Sequence, residues 1–438
     1  SVTVTFPSPF PLFVRIIGMG HKSIIEHDYL VFAICDVTPI IEQTIIGNRL
    51  TSFTIKSRRE VDFRTAGFYI PEFRNKDLNT HPKNEELKQK YISHMKYLFN
   101  TYGDLVDNGI DVEDARFILP YSFHSNIIMG LNARELEKMV TSFLYGPLSK
   151  ISELKEFGEK LLSIIKEFVP YLEKSIESYS NYSNNPFDYM ESLANRPKIK
   201  IASKPVLISN TPNPDDVIIK SSIMYHFQCS EQEAKQIMEE SEKIDPEYKA
   251  KSMNIILHKE ERRELEQVSF TFQIPISLSI LTHLTRHRMH SLLIPEFTPL
   301  WDFNNFIIPA TIQAKSELKN IFINAQKENM KIFEEFKNSN VSDEDLIYFY
   351  LGCQMLNVVT TMNGRTLQWI LHLRCCNKAQ WQIRNIAKEL AKQVSSVAPL
   401  LGKGLGPTCM TDLVCYEGKE CCGLINSLLE NRTVEKIK

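Results

Sequence analysis

The sequence predicts a chain of mixed helix and strand, built as one pattern written twice. Three observations predict it. Two strand-like runs, Tyr29–Ile34 and Val268–Ile274, each lead through a proline-containing segment into an arginine-bearing cluster. About twenty residues past each cluster comes a long helical pattern, near residues 83–103 and 314–337. Matched residues also keep a steady offset: 239 for Arg288 against Arg49 (288 − 49) and for Ser291 against Ser52 (291 − 52), then 231 for Arg365 against Arg134 (365 − 134). Such spacing marks an internal duplication.

Each element has its own pattern. Val268, Phe270, Phe272 and Ile274 alternate with Ser269, Thr271 and Gln273, the period of a half-buried strand. Ile383, Ile386, Ala387, Leu390 and Val394 recur at helical spacing and predict a buried amphipathic helix. "LNARELEKM" (131–139) pairs with "MNGRTLQWI" (362–370). The stretch "SYSNYSNNPFDYMESLANRP" is polar and turn-rich, as a linker is. The expected organisation is a first copy over residues 1–175, a linker over 176–197, a second copy over 198–400 and a tail over 401–438. That tail carries Cys409, Cys415, Cys421 and Cys422.

Composition narrows the class. The chain has 438 residues, 43% hydrophobic and 24% charged, which is ordinary globular usage. A formal net charge of −2 argues against a general nucleic-acid coat and leaves room for local basic pockets. No apolar run reaches membrane-spanning length, so no membrane partner is expected. The apolar N-terminus is broken by prolines and does not read as a signal peptide. Nine cysteines, an odd number, argue against a secreted disulfide scaffold and for a reducing cytoplasm.

The chemistry concentrates in the clusters. Arg286 and Arg288 bracket His287, and forked guanidinium donors beside a helix start suit phosphate oxygens. A solvated salt-bridge patch fits the same triplet. Ser57, Arg58 and Arg59 make a similar case in the first copy, with the same two readings. Arg374 follows the apolar stretch Trp369, Ile370, Leu371 and Leu373, where an arginine needs an anionic partner or a solvated cleft. "GHKSIIEH" (20–27) lacks metal-site spacing, and capping is its expected role.

Taken together these segments resemble the flavin-dependent thymidylate synthases. "TRHRMHS", "NGRTLQWILHLRCCNKAQWQIRNIAKEL" and "KIKIASKPVLISNTPNPDDVI" look like one copy. "GHKSIIEHDYLVFAI", "GNRLTSFTIKSRR", "EDARFILP" and "LNARELEKM" look like another, lacking the usual N-terminal strand and helix. The resemblance implies an α/β fold of the α+β type, with helices around a mostly antiparallel sheet. It implies FAD, with NADPH and methylenetetrahydrofolate as co-substrates, and transfer of a one-carbon unit to C5 of a uracil nucleotide such as dUMP. Carried over by motif, Arg374 polarises the pyrimidine. Ser57, Arg59, Arg116, Arg286 and His283 bind the nucleotide. His21, Ser23, Arg286, His287, Arg288, Asn363, Arg365, Asn132 and Arg134 hold the flavin. No metal is implied.

Neither copy is complete. Gly47, Asn48 and Phe143 replace the first copy's triplet residues and its activating arginine, while Ile347, Thr298 and Gln267 replace second-copy residues. What one copy lost, the other kept, so one composite nucleotide site per chain is expected. Ile55 stands for a family glutamate and His283 for a glutamine. These two changes suggest a different pyrimidine nucleotide or a different product, such as a hydroxymethyl group. A flavin- or nucleotide-binding scaffold without catalysis is the alternative class, and zinc or redox chemistry the alternative for the tail cysteines. Since the family assembles as a tetramer, a fused pair is expected to form a homodimer.

Overall fold

The computed structural model describes residues 10–181, 199–297 and 302–429. Most of the expected linker, and Thr298, lie outside the described residues. Described residues up to Lys200 join Glu296–Gln354 in a first compact unit, and Ile201–Pro295 join those from Met355 onward in a second.

The duplication holds element by element. The first copy runs α1 (Phe10–Gly18), β1 (Tyr29–Val37), α2 (Pro39–Ile46), β2 (Ser52–Ile55), α3 (Asn84–Asp107), α4 (Val112–Ala115), β3 (Ser125–Asn132), α5 (Ala133–Tyr145) and α6 (Ser152–Phe168). The second adds β4 (Val206–Asn210), α7 (Pro214–Phe227) and α8 (Glu231–Ile244) in front. It then repeats the series as α9 (Tyr248–His258), β5 (Ser269–Ser277), α10 (Leu278–Thr285), β6 (Ser291–Leu293), α11 (Ser316–Asn338), α12 (Asp343–Leu346), β7 (Met355–Asn363), α13 (Gly364–Arg374) and α14 (Trp381–Val397).

Local chemistry sets these boundaries. Thr38 caps α2 by accepting the Ile40 N–H at 3.2 Å, with Pro39 at the first helical position. Asn132 and Asn363 cap α5 and α13 the same way, accepting from Glu135 at 2.9 Å and Thr366 at 2.8 Å. Gly364 replaces the alanine of the first copy because a Cβ there would lie 2.7 Å from the Leu265 carbonyl oxygen.

Each unit holds one antiparallel sheet. The first is ordered β1-β3-β2, with Phe32 opposite Met129 and Ser52 opposite Gly130. The second is ordered β4-β5-β7-β6. Along β5, Phe270, Phe272 and Ile274 are buried while Thr271 and Gln273 stay half-exposed, as the alternation predicts. The core face of α14 is Ile383, Ile386, Ala387, Leu390 and Val394.

The first unit also takes in a piece of the second copy, residues 296–354. Phe73 meets Phe336 at 5.1 Å and Tyr91 meets Phe349 at 5.4 Å, both edge-to-face. His94 Nε2 bonds Asn329 Oδ1 at 2.8 Å, both side chains buried. Asp345 accepts the Arg74 backbone N–H at 2.7 Å and pairs with its guanidinium. Near the clusters the two copies exchange backbone bonds, Tyr121 N–H to Tyr350 oxygen at 2.7 Å and Cys353 N–H to Phe117 oxygen at 2.7 Å.

Glu153, in the first turn of α6, is buried and accepts the Thr38 N–H at 3.1 Å, the Thr38 hydroxyl at 2.7 Å and the Tyr348 hydroxyl at 3.0 Å. Burial pushes its carboxyl up from 4.5 to about 7, against those hydrogen bonds. The folded state therefore holds the proton where the unfolded state has lost it. Stability is full below about pH 4.5 and falls as pH rises through 7, by about 3 kcal/mol in all. The second copy has Gln382 at the matching place, accepting the Ser277 hydroxyl at 2.5 Å. Glu153→Gln is expected to remove this pH dependence. Denaturant midpoints between pH 4.5 and 7.5 measure it, and a slope equal to wild type would refute the assignment.

Candidate functional site

In the first unit, an arginine cluster forms where the strand β2 runs out toward α4. Ser57 Oγ accepts the Arg59 N–H at 3.3 Å, which fixes the Ser-x-Arg turn. Arg59 Nε pairs with Glu113, whose own N–H is held by the α4 cap Asp111 at 2.8 Å. One turn on, Arg116 Nε donates to the Glu113 carbonyl at 2.9 Å. Arg58 points inward, pairs with Glu42 of α2 and lies over the Phe123 ring at 4.9 Å.

The electrostatics of this cluster favour an anion. Arg116 is only 4% exposed. Burial pushes its guanidinium down to about 9, Arg58 and Arg59 add repulsion, and Glu113 and Asp114 oppose. Glu113 is shifted the other way, upward by burial, with Arg59 and Arg116 opposing. Three guanidinium groups thus share one region with the carboxylates of Glu42, Glu113 and Asp114, a cluster of forked donors of the kind that suits phosphate oxygens.

In the second unit, the triplet sits at a helix end rather than the helix start the sequence suggested. α10 ends at Thr285, Arg286 is its C-terminal cap, and the His287 N–H reaches back to the Leu284 carbonyl at 3.1 Å. The triplet therefore lies at the carbonyl end of α10 rather than at its N-terminus. Arg286 is exposed, His287 buried and Arg288 half-buried. Desolvation, reinforced by the charge of Arg374, drives His287 down to about 3, so it is neutral. Its Nε2 accepts from Arg374 Nε at 2.9 Å, which puts the ring proton on Nδ1. Arg374 closes α13 with its guanidinium oriented by that neutral ring. His283 is buried in the last turn of α10, at 4% exposure.

The Asn-x-Arg pairs behave alike in both copies. Asn132 and Asn363 cap helices, while Arg134 pairs with Glu26 and Arg365 with Glu266. Those glutamates lie in matching 3₁₀ turns, Lys22–Glu26 and Arg263–Gln267, 240 residues apart (266 − 26). His21 precedes the first of these turns and makes no side-chain cap bond, and His21 and Ser23 are exposed.

Two of the positions that lost arginines have joined the core. Phe143, in the place of Arg374 (374 − 143 = 231), is 1% exposed and meets Phe157 at 5.7 Å. Ile347, in the place of Arg116 (347 − 116 = 231), is likewise 1% exposed. Gly47 caps α2 where Arg286 caps α10.

Sequence reasoning missed Glu42 and Glu113 as partners of the cluster. Glu42 carried a signal: a carboxylate among Ile40, Ile41, Ile45 and Ile46 must find a cation. Glu113 gave none, since a charged residue at a helix start is ordinary.

One known family matches this chain over both copies. The family described as thymidylate synthase complementing protein matches residues 11–171 and 206–400. A flavin-dependent thymidylate synthase of Clostridium tetani is 32% identical over 237 residues, covering 50% of this chain and 92% of that protein. One of Geobacter sulfurreducens is 28% identical over 224 residues, covering 50% and 94%. A solved UMP/dUMP methylase, PolB from Streptomyces cacaoi bound with 5-Br dUMP, is 14% identical, covering 47% of this chain and 96% of that one at a TM-score of 0.39. With its domain matched twice along most of the chain, this protein belongs to the thymidylate synthase complementing protein family, that of the flavin-dependent thymidylate synthases.

Proposed function

We propose that the protein transfers a one-carbon unit to C5 of a uracil nucleotide, dUMP or a close relative, and does so at one composite site per chain. The observation that carries this reading is the one-sided survival of the arginines. Ser57, Arg59 and Arg116 keep a charged cluster in the first unit, Arg286 and Arg374 keep the complementary residues in the second, and Phe143 and Ile347 have become core. Neutral drift would scatter such losses between the two possible combinations.

The division of labour follows from charge. Arg59 and Arg116 take the nucleotide phosphate, with the Ser57 hydroxyl beside them. Arg374, held by neutral His287, stabilises negative charge developing on the pyrimidine ring. A positively charged histidine there would repel Arg374, so its lowered basicity supports the role. Arg286 and Arg288 offer forked donors at the surface of the second unit, which suits the pyrophosphate of FAD. Bound flavin would supply the reducing equivalents, replenished by NADPH, with methylenetetrahydrofolate as carbon donor. The surroundings of Ile55 and His283 differ from the family pattern, so the product is read directly, as methyl or hydroxymethyl.

Purified protein tests this reading. The expected result is bound flavin absorbance that bleaches with NADPH, a mass gain on dUMP with methylenetetrahydrofolate, and a light-scattering mass of twice the chain. Colourless protein that binds nucleotide without turnover would establish the scaffold alternative instead.

A further inference from the structure

The tail folds against the end of α13 and the side of α14 and encloses with them a cavity of about 600 Å³. Its lining belongs wholly to the second unit, and Arg374 is not part of it. Protein interiors close around apolar side chains and leave few voids larger than a water molecule. A space of this size falls within the range of small-molecule sites, about 300–1,000 Å³.

The wall is mostly apolar. Leu373 of α13, Ala391 of α14 and Leu405, Met410, Leu424 and Ile425 of the tail line it. So do the thiols of Cys375, Cys376, Cys409, Cys415, Cys421 and Cys422. Burial pushes the Cys375 thiol up to about 12, against the nearby Lys388 ammonium, and also raises Cys409, so these two stay protonated at neutral pH. A protonated thiol packs as a small, polarisable apolar group. Among the described residues no three His, Cys, Asp or Glu side chains are grouped to hold a metal ion.

Charge around the cavity is uneven. Lys378 is matched by Glu420 at 2.8 Å. Lys388 and Lys403 line the cavity as well and form no ion pair among the described residues. The carboxylate in the lining is Glu417, whose Oε1 lies 3.7 Å from Cys376 Sγ. Two ammonium groups against one carboxylate leave one positive charge unmatched. The tail that closes the cavity is tied to α13 and the segment after it: His372 Nε2 lies 3.3 Å from the Gly404 carbonyl oxygen, and the Asn377 amide donates to Cys422 Sγ at 3.5 Å.

We propose that this cavity binds a small monocarboxylic acid with an apolar body, separately from the nucleotide. The body lies among the leucines and thiols, and the carboxylate meets the Lys388 and Lys403 ammonium groups.

The test uses the full chain kept under reductant. Octanoate and 2-naphthoate, one aliphatic and one aromatic, are titrated by calorimetry, and the tighter of the two identifies the body the cavity prefers. The expected result is one acid per chain. Octanol, the same body as octanoate without the charge, binds more weakly. Lys388→Gln combined with Lys403→Gln weakens the acids about 10-fold or more, the size of a lost charge-assisted contact. Ala391→Trp, off the core face of α14, fills the cavity and abolishes binding. The thiols give a second readout that needs no variant: bound acid slows alkylation of half-buried Cys376 and Cys421, while exposed Cys35 of the first unit reacts at an unchanged rate. The proposal is overturned by no binding of either acid at millimolar concentration, by octanol binding as tightly as octanoate, or by alkylation of Cys376 and Cys421 indifferent to the acid. Displacement of the acid by dUMP would place it in the nucleotide site and overturn it equally.

Discussion

Arg374→Ala is expected to bind nucleotide nearly as well as wild type and to turn over about 10²–10³-fold more slowly, the loss typical of one donor aimed at developing charge. The reasoning starts from position. Arg374 is the last residue of α13 and makes no part of the buried helix face, so its truncation leaves the helix cap at Asn363 and the core intact. What changes is the group that His287 orients at 2.9 Å. With the guanidinium gone, the neutral imidazole offers no positive charge to replace it. Turnover at saturating nucleotide, measured beside a binding isotherm, separates the two effects. Full turnover in the variant would remove Arg374 from the chemistry, and a large loss of affinity with turnover intact would move it to binding.

Arg116→Ala carries the largest expected loss of affinity, about 1.5–3 kcal/mol, or roughly 10- to 150-fold, for one charge-assisted contact to phosphate. Arg116 is the most buried of the three guanidiniums, at 4% exposed against 7% for Arg58. Calorimetry measures the loss, and wild type should saturate at one nucleotide per chain. Two equivalent nucleotides per chain would rule out the composite site.

The sequence made much of this visible, because duplication is a property of spacing. The offsets that relate Arg49 to Arg288 also relate β2 to β6, and the apolar faces of β5 and α14 were readable by period alone. Charge partners were less legible. Arg58 and Glu42 are sixteen residues apart in sequence (58 − 42), on different elements, and no local rule pairs them. The helix end at Thr285 was misread as a start because a dense cationic cluster suggests anion binding whichever helix end it lies near. Nor could periodicity reveal that residues 296–354 pack with the first copy, since both copies carry the same pattern.

That last feature sets a timetable for the nascent chain. The first unit reaches to Lys200 and then waits for Glu296–Gln354. Gln354 leaves the ribosome 154 residues after Lys200 (354 − 200), about 8–30 s at roughly 5–20 residues per second. Through that interval Phe73, Tyr91 and His94 lack Phe336, Phe349 and Asn329, the side chains they meet in the finished unit. Gene fusion therefore did more than double a domain: it made one half of the translated message a folding partner of the other. Chaperone occupancy during synthesis, rather than final stability, is where a defect in the second copy's long helix would first be felt.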